Sequence, residues 1–182
     1  MILIINGSFG VGKTTVGRLL KKKIKGSRLY NPEWAGSVLM RLPSFIKLSG
    51  SGTDDFQDID LWRQSVIYGT RLFRASPHNT VIVPMAFRRK DYFEEITGGM
   101  RKFDEQIKVY CLKAGMATIL KRLERRGTKI NSKEGEWIAR KAQECISAHR
   151  DSEFGEAVNT ESVTAAEVAD DILMRLKYAN GR

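Results

Sequence analysis

The stretch NGSFGVGKTT, Asn6 to Thr15, stands directly behind the apolar run Met1-Ile2-Leu3-Ile4-Ile5 and ahead of a helical pattern. From Gly7 to Thr14 it fits G-x-x-x-x-G-K-[ST] without a mismatch, in the strand-before, helix-after setting that gives the pattern its meaning. Gly7, Gly10 and Gly12 free the backbone to curl around a phosphate and aim successive N–H groups at it, and the following helix adds its positive dipole end. A plain strand-to-helix turn needs one or two glycines but has no use for a lysine and a hydroxyl in succession. The expected cradle is therefore Gly7, Ser8, Phe9, Gly10, Val11, Gly12, Lys13, Thr14 and Thr15, with Lys13 between β- and γ-phosphates and the Thr14 hydroxyl on Mg²⁺. A nucleoside triphosphate is the expected ligand, and ATP the better guess because no N-K-x-D guanine signature occurs.

Working outward, Ile- and Val-rich segments alternate with helical ones. Strands are expected at Met1–Asn6, Arg28–Asn31, Thr80–Met85, Gln106–Leu112 and, weakly, Glu156–Asn159. Helices are expected at Gly12–Lys25, Asp55–Phe73, Lys90–Phe103, Met116–Arg126, Lys133–Ala148 and Thr164–Tyr178. Ile59, Trp62, Val66 and Phe73 recur at helical spacing and form one buried stripe. Thr164-Ala165-Ala166-Glu167 is a capping box ahead of Val168, Ile172, Leu173 and Leu176. Such alternation predicts an α/β fold, a parallel sheet between helices, with ligands at the carboxyl ends of its strands. Gly98-Gly99 and Ser49-Gly50-Ser51-Gly52 read as loops, the second within a flap over residues 44–56. A lid is expected over residues 122–133. One domain spanning residues 1–182 is the expectation at this length.

The bulk numbers bound the partners. A net charge of +10 suits a cleft for anionic substrates and equally allows nucleic acid or peripheral contact with an anionic membrane. No interleaving of aromatic and basic residues of the RNA-binding kind occurs, so no specific nucleic acid is expected. Lys21-Lys22-Lys23-Ile24-Lys25 is most simply the solvated end of a helix. Two cysteines and two histidines without ligand spacing argue against zinc and for buried free thiols at Cys111 and Cys145. The opening apolar run is too short to cross a bilayer and lacks the basic segment of a signal peptide, so a cytoplasmic protein, monomer or homodimer, is expected.

Further chemistry is sought near the loop. Glu33 in Asn31-Pro32-Glu33 lies where the second strand should end beside Lys13, and could accept the proton of an attacking hydroxyl. The plainer alternative makes Pro32-Glu33 the start of a surface helix. Arg122, Arg125 and Arg126 end a basic helix that could close over a nucleotide, stack on its base or neutralise the transferred phosphoryl group. Asp54 or Asp55 is a helix cap, or else a substrate or metal contact, with Asp55 assigned to the substrate side; Arg63, like Arg71, could point into a substrate cleft, and Met85 is an apolar wall of that cleft or plain core. The strand Thr80–Met85 ends in Pro-Met where many relatives of this loop carry a magnesium-organising acid. Motor and GTP-switch machinery is correspondingly disfavoured.

INGSFGVGKT, YNPEWAG, DDFQ with LWR shortly after, VIVPM, LKRLERRG and the Asn131-Ser132 pair together resemble the P-loop small-molecule kinases, the shikimate, gluconate and chloramphenicol kinase group that includes bacterial tunicamycin resistance proteins. The resemblance covers most of the chain. It implies a five-stranded parallel sheet of order 2-3-1-4-5 with a lid after the fourth strand, and a nucleotide base near Arg122 and the loop from Asn159 to Val163. Where the resistance proteins carry Asp-Pro-Glu this chain has Asn31-Pro32-Glu33, which leaves Glu33 the sole matching acid. Two functions follow as expectations. One is ATP-dependent phosphorylation of a hydroxyl on a small polar acceptor, such as a nucleoside antibiotic. The other is an ATP-binding protein that sequesters an antibiotic or docks on an anionic surface without transfer.

Overall fold

The computed structural model describes residues 1–33, 36, 55–74, 80–150 and 152–180. Five strands form one sheet: β1 (Ile2–Gly7), β2 (Arg28–Leu29), β3 (Val81–Pro84), β4 (Ile107–Lys113) and β5 (Glu156–Asn159). Their order is β2-β3-β1-β4-β5 and every pairing is parallel. β1 is central, with Ile2 beside Val81 on one flank and Ile107 on the other.

Both faces of that central strand are covered, so it has no polar face to show. Leu3 and Ile5 pack under α1 (Lys13–Lys23) and α6 (Ala165–Asn180), with Val16, Leu20, Ile172 and Leu176. Ile2 and Ile4 point the other way, toward α2 (Asp60–Arg74) and α3 (Lys90–Arg101), with Trp62, Val66, Ile96 and Met100. Each of these isoleucine and leucine side chains contributes about 2 kcal/mol by leaving water. A smaller cluster, Ile119, Leu123 and Ala142, joins α4 (Met116–Arg125) to α5 (Lys133–Ala148) and receives Phe9 of the glycine loop.

The local signals act as physical chemistry requires. Glu167 N–H donates to Thr164 Oγ1 at 3.2 Å while Glu167 Oε2 accepts from the Thr164 N–H at 2.7 Å, the reciprocal box expected there. Ser132 caps α5 by accepting from the Gly135 N–H at 3.1 Å. Lys21, Lys22 and Lys23 occupy the last turn of α1, and Lys23 pairs with Asp170 of α6 at 2.7 Å.

Three expectations need correction. Gly98 and Gly99 are not a loop; they lie within α3, where a Cβ on Gly99 would come within 2.5 Å of the Ile67 side chain. Gly99 lets α2 and α3 approach, whereas a Cβ on Gly98 would meet nothing within 4 Å. The helix expected from Asp55 begins instead as a 3₁₀ turn, Phe56–Asp58, breaks at the extended Ile59 and resumes as α2 at Asp60. β2 pairs over two residues only, since Pro32 follows and Glu33 is already helical. The flap expected at 44–56, apart from Asp55 and Phe56, and Trp34 fall outside the described residues.

Candidate functional site

The glycine loop leaves the end of β1 and enters α1 with Gly7, Gly10 and Gly12 all at positive φ, 142°, 76° and 114°. Gly10 is further confined, because a Cβ there would sit 2.9 Å from Leu123 Cγ. At Gly12 a Cβ would meet nothing within 4 Å, so the loop's concave side is open at the helix entrance. Gly12 is also the N-cap of α1 and supplies no side-chain cap. The first-turn amides, which no helix can satisfy internally, are thereby left to an external acceptor.

Lys13 bends back over this loop, 6% exposed, its ammonium donating to Ser8 O at 3.0 Å and lying 5.4 Å from the Phe9 ring centroid. Glu33 Oε1 stands 3.7 Å from the same ammonium. Asn31 caps the turn that carries Glu33, its Oδ1 accepting from the Glu33 N–H at 3.2 Å. An asparagine does this as well as an aspartate. Glu33 thus lies in a helical first turn with its side chain toward Lys13. The Glu33 carboxylate is fixed a second time, accepting from the Ala86 N–H at 2.9 Å.

The arginines divide. Arg122 is a clamp, donating to Val11 O at 3.0 Å, Thr160 Oγ1 at 3.0 Å and Thr160 O at 2.5 Å, which ties the glycine loop to the β5–α6 loop. A cavity of about 260 Å³ lies alongside, lined by Gly12, Thr15, Arg122, Arg125, Arg126 and Val163 among others. This is where the resemblance implies a nucleotide base. Arg125 and Arg126 are exposed on its rim. A second cavity, about 480 Å³, opens beside Ser8 between Lys113, His149, Arg150 and Glu161.

The residues assigned to substrate are placed less uniformly. Asp55 is buried, caps the 3₁₀ turn by accepting from the Gln57 N–H at 2.9 Å, and lies 2.7 Å from Arg88 Nε and 3.8 Å from Lys141 Nζ. Arg88 also meets Glu144 at 2.9 Å and Asp58 at 3.7 Å. This ionic cluster joins the 3₁₀ turn, the loop after β3 and α5. Arg63 is committed elsewhere: its guanidinium binds Glu95 at 2.6 Å, the Gln57 carbonyl at 2.7 Å and Asp60, and stacks 4.3 Å over the Tyr92 ring. It staples α2 to α3. Met85 is fully buried among core residues between the sheet and those helices.

Sequence reasoning passed over Asn6, Gln57, Arg88, Lys141 and His149. Asn6 had a signal, since a polar residue ending an apolar strand and buried to 0% exposure must spend its amide on something. It accepts from the Gly7 N–H at 2.7 Å and the Phe87 N–H at 3.1 Å, and donates to Phe154 O at 3.1 Å. Burial lowers the His149 pKa from 6.5 to about 4, so the ring is neutral at pH 7, with Nε2 2.6 Å from Phe87 O. A carbonyl can only accept, which puts the ring proton on Nε2. Both cysteines are buried free thiols, pushed up to about 11 for Cys111 and about 12 for Cys145 by desolvation.

The described residues contain no cluster of three or more His, Cys, Asp or Glu suited to a metal. Magnesium does not ask for one, because it keeps several waters and is commonly held by nucleotide phosphates with one or two protein oxygens. The half-exposed Thr14 in the first turn of α1, beside the open cradle at Gly12, fits that role. No helix of the described residues is long and apolar enough to cross a membrane.

No protein-family model matches the sequence, and no curated protein matches it. Solved structures do. A tunicamycin resistance protein from Deinococcus radiodurans superposes with a TM-score of 0.69 at 23% identity, covering 96% of this chain and 94% of that one. A shikimate kinase from Acinetobacter baumannii, in complex with shikimate, gives 0.64 at 18% identity over 100% and 95%. A gluconokinase from Sinorhizobium meliloti gives 0.63 at 16% identity over 99% and 97%. The chain has the fold of the P-loop small-molecule kinases. The sheet order and the parallel strands are those the sequence resemblance implied. At these identities the P-loop kinase fold is what the likeness carries.

Proposed function

We propose that this protein is an ATP-dependent phosphotransferase acting on a hydroxyl of a small polar acceptor. The observation that carries the reading is the placement of Lys13 between the loop carbonyl of Ser8 and the Glu33 carboxylate. In this reading Lys13 is the cation for the phosphates, and Glu33, 3.7 Å from its ammonium, is the proton acceptor for the attacking hydroxyl. Gly7 to Thr15 cradle the triphosphate, and the base enters the cavity beside Arg122. Thr14 would hold Mg²⁺, which would supply charge neutralisation on the transferred group. Arg125 and Arg126, on the rim of the base cavity, are the cations available to approach the nucleotide from the 122–133 lid. Asp55 borders the acceptor side through the Arg88 and Lys141 cluster. A nucleoside antibiotic is the first acceptor to try, since one similar structure is a tunicamycin resistance protein.

The test is transfer of label from γ-labelled ATP to a panel of hydroxylated acceptors. Lys13→Ala should lower kcat/KM by about a thousandfold or more, the scale of losing one preorganised charge contact. Glu33→Gln should lower kcat by at least about a hundredfold while ATP affinity stays within about twofold. Undiminished turnover in Glu33→Gln would remove the base; failure of the wild type to bind MgATP by calorimetry would remove the whole reading.

A further inference from the structure

After β3 the chain runs through Ala86 and Phe87, and their four main-chain polar groups are taken by side chains from four separate regions. The Ala86 N–H donates to Glu33 at 2.9 Å and the Ala86 carbonyl accepts from Gln57 Nε2 at 2.7 Å. The Phe87 N–H donates to Asn6 Oδ1 at 3.1 Å and the Phe87 carbonyl meets His149 Nε2 at 2.6 Å. Ala86 and Phe87 are each 1% exposed, and so is Gln57, while Asn6 and His149 are 0% and 3% exposed. Buried amides and carbonyls of an irregular segment must be satisfied somewhere, but strand partners would do it as well. Here the partners come from the glycine loop's root, the β2 tip, the 3₁₀ turn and the end of α5.

We infer that the Ala86–Phe87 dipeptide is the positioning element that holds Glu33 opposite Lys13, and that Asn6 and His149 are positioning residues acting through it. The inference rests on the reading of Glu33 as the proton acceptor. The position after β3 is where an acid would organise magnesium in many proteins with this loop, and here it holds Ala86 and Phe87 behind Pro84-Met85. The segment instead offers backbone dipoles, and one of them locks the carboxylate. Asn6 is bonded to Gly7 and Phe87 by the same oxygen, so the phosphate cradle and the Glu33 mount share one anchor. His149 follows α5 directly, and its N–H fixes the opposite end of the dipeptide. A displaced dipeptide would carry the Ala86 N–H, and with it Glu33, out of line. Misplacement on the scale of 1 Å costs about a hundredfold in extreme cases.

His149 is the cleaner probe, because Asn6 also touches the loop itself. His149→Met keeps bulk and removes the donor, whereas His149→Gln can return an N–H toward Phe87. Amide hydrogen exchange on the full chain, without ligand, should show Ala86 and Phe87 exchanging about fivefold faster in His149→Met while β1 amides such as Ile4 are unchanged. MgATP hydrolysis, with water as acceptor, should fall about tenfold in kcat with KM for ATP within about twofold. His149→Gln should restore both toward wild type. Wild-type exchange at Ala86 in His149→Met would overturn the inference, as would a His149→Gln variant as impaired as His149→Met, since ring packing would then be the whole role. Should His149→Met fail to fold, the same exchange and kcat readouts apply to Asn6→Ala. If exchange responds as stated but Glu33→Gln hydrolyses ATP at the wild-type rate, the proton-acceptor reading falls and the linkage between dipeptide and carboxylate stands.

Discussion

The two halves of the site are built by different means. On the nucleotide side the cradle is made by one contiguous segment, Gly7 to Thr15, whose shape comes from backbone angles that only glycine adopts easily. Across from it nothing is contiguous: Glu33 and His149 are bonded to the backbone after β3, and Asp55, Arg88 and Lys141 meet in ion pairs, from segments far apart in the chain. The first kind of construction survives change elsewhere in the chain and is intolerant at its own glycines. The second kind distributes its sensitivity over residues distant in sequence.

That contrast can be broken experimentally, and the largest effect is expected at Arg88. Replacing it by alanine removes the guanidinium that Asp55, Asp58 and Glu144 share, and Asp55 is buried. Urea denaturation should register a loss of about 3–5 kcal/mol, the usual consequence of removing one partner of a buried pair. A loss below about 1 kcal/mol would mean that these segments are not held together by this cluster.

The next effect is a pH dependence. His149 has a folded pKa near 4 against 6.5 unfolded, so between these values the unfolded chain binds more protons. The contribution is complete above about pH 6.5 and is lost as pH falls toward 4. From pH 7 to 4.5 the wild type should lose about 2–3 kcal/mol more than His149→Gln. Parallel stability curves for the two proteins would contradict the assignment of a neutral, buried ring.

The smallest effect sharpens the comparison from the nucleotide side. Gly10→Ala combines a positive φ with a Cβ 2.9 Å from Leu123 Cγ, and should cost about 1–3 kcal/mol in stability. Gly98→Ala, in the interior of α3 with nothing within 4 Å of its Cβ, should be neutral or stabilising by up to about 1 kcal/mol. Equal outcomes at the two glycines, read by thermal melting, would mean that the loop's conformation is not what its glycines are for.

Legibility in the sequence followed the same division. The glycine loop, the alternation of strands and helices, the Thr164 box and the sheet order all rest on local patterns or on a resemblance carried by such patterns. Glu33 was found because strand topology, read from those patterns, puts the β2 tip beside the loop. The Arg63–Glu95 pair was not legible, since a charged residue flanking a buried stripe looks alike whether it faces a cleft or the next helix. Gly98-Gly99 looked like a loop because sequence shows the absence of a side chain and not the Ile67 pressed against it. Arg88, Lys141 and His149 carried no local signal. Their meaning lies in pairings across tens of residues, which only the fold supplies.

The position of β1 bears on how the chain comes to be made. As the earliest of the described strands and the middle one of the sheet, it has its partners far downstream: Ile2 waits for Val81 and Ile107, and Gly7 for Leu112. Pairing between such remote segments is slow, and a nascent chain meanwhile leaves an apolar ribbon without company. The glycine loop shares that dependence, since Gly7 pairs with Leu112 and Gly10 lies against Leu123, so its surroundings are complete only once β4 and α4 have docked.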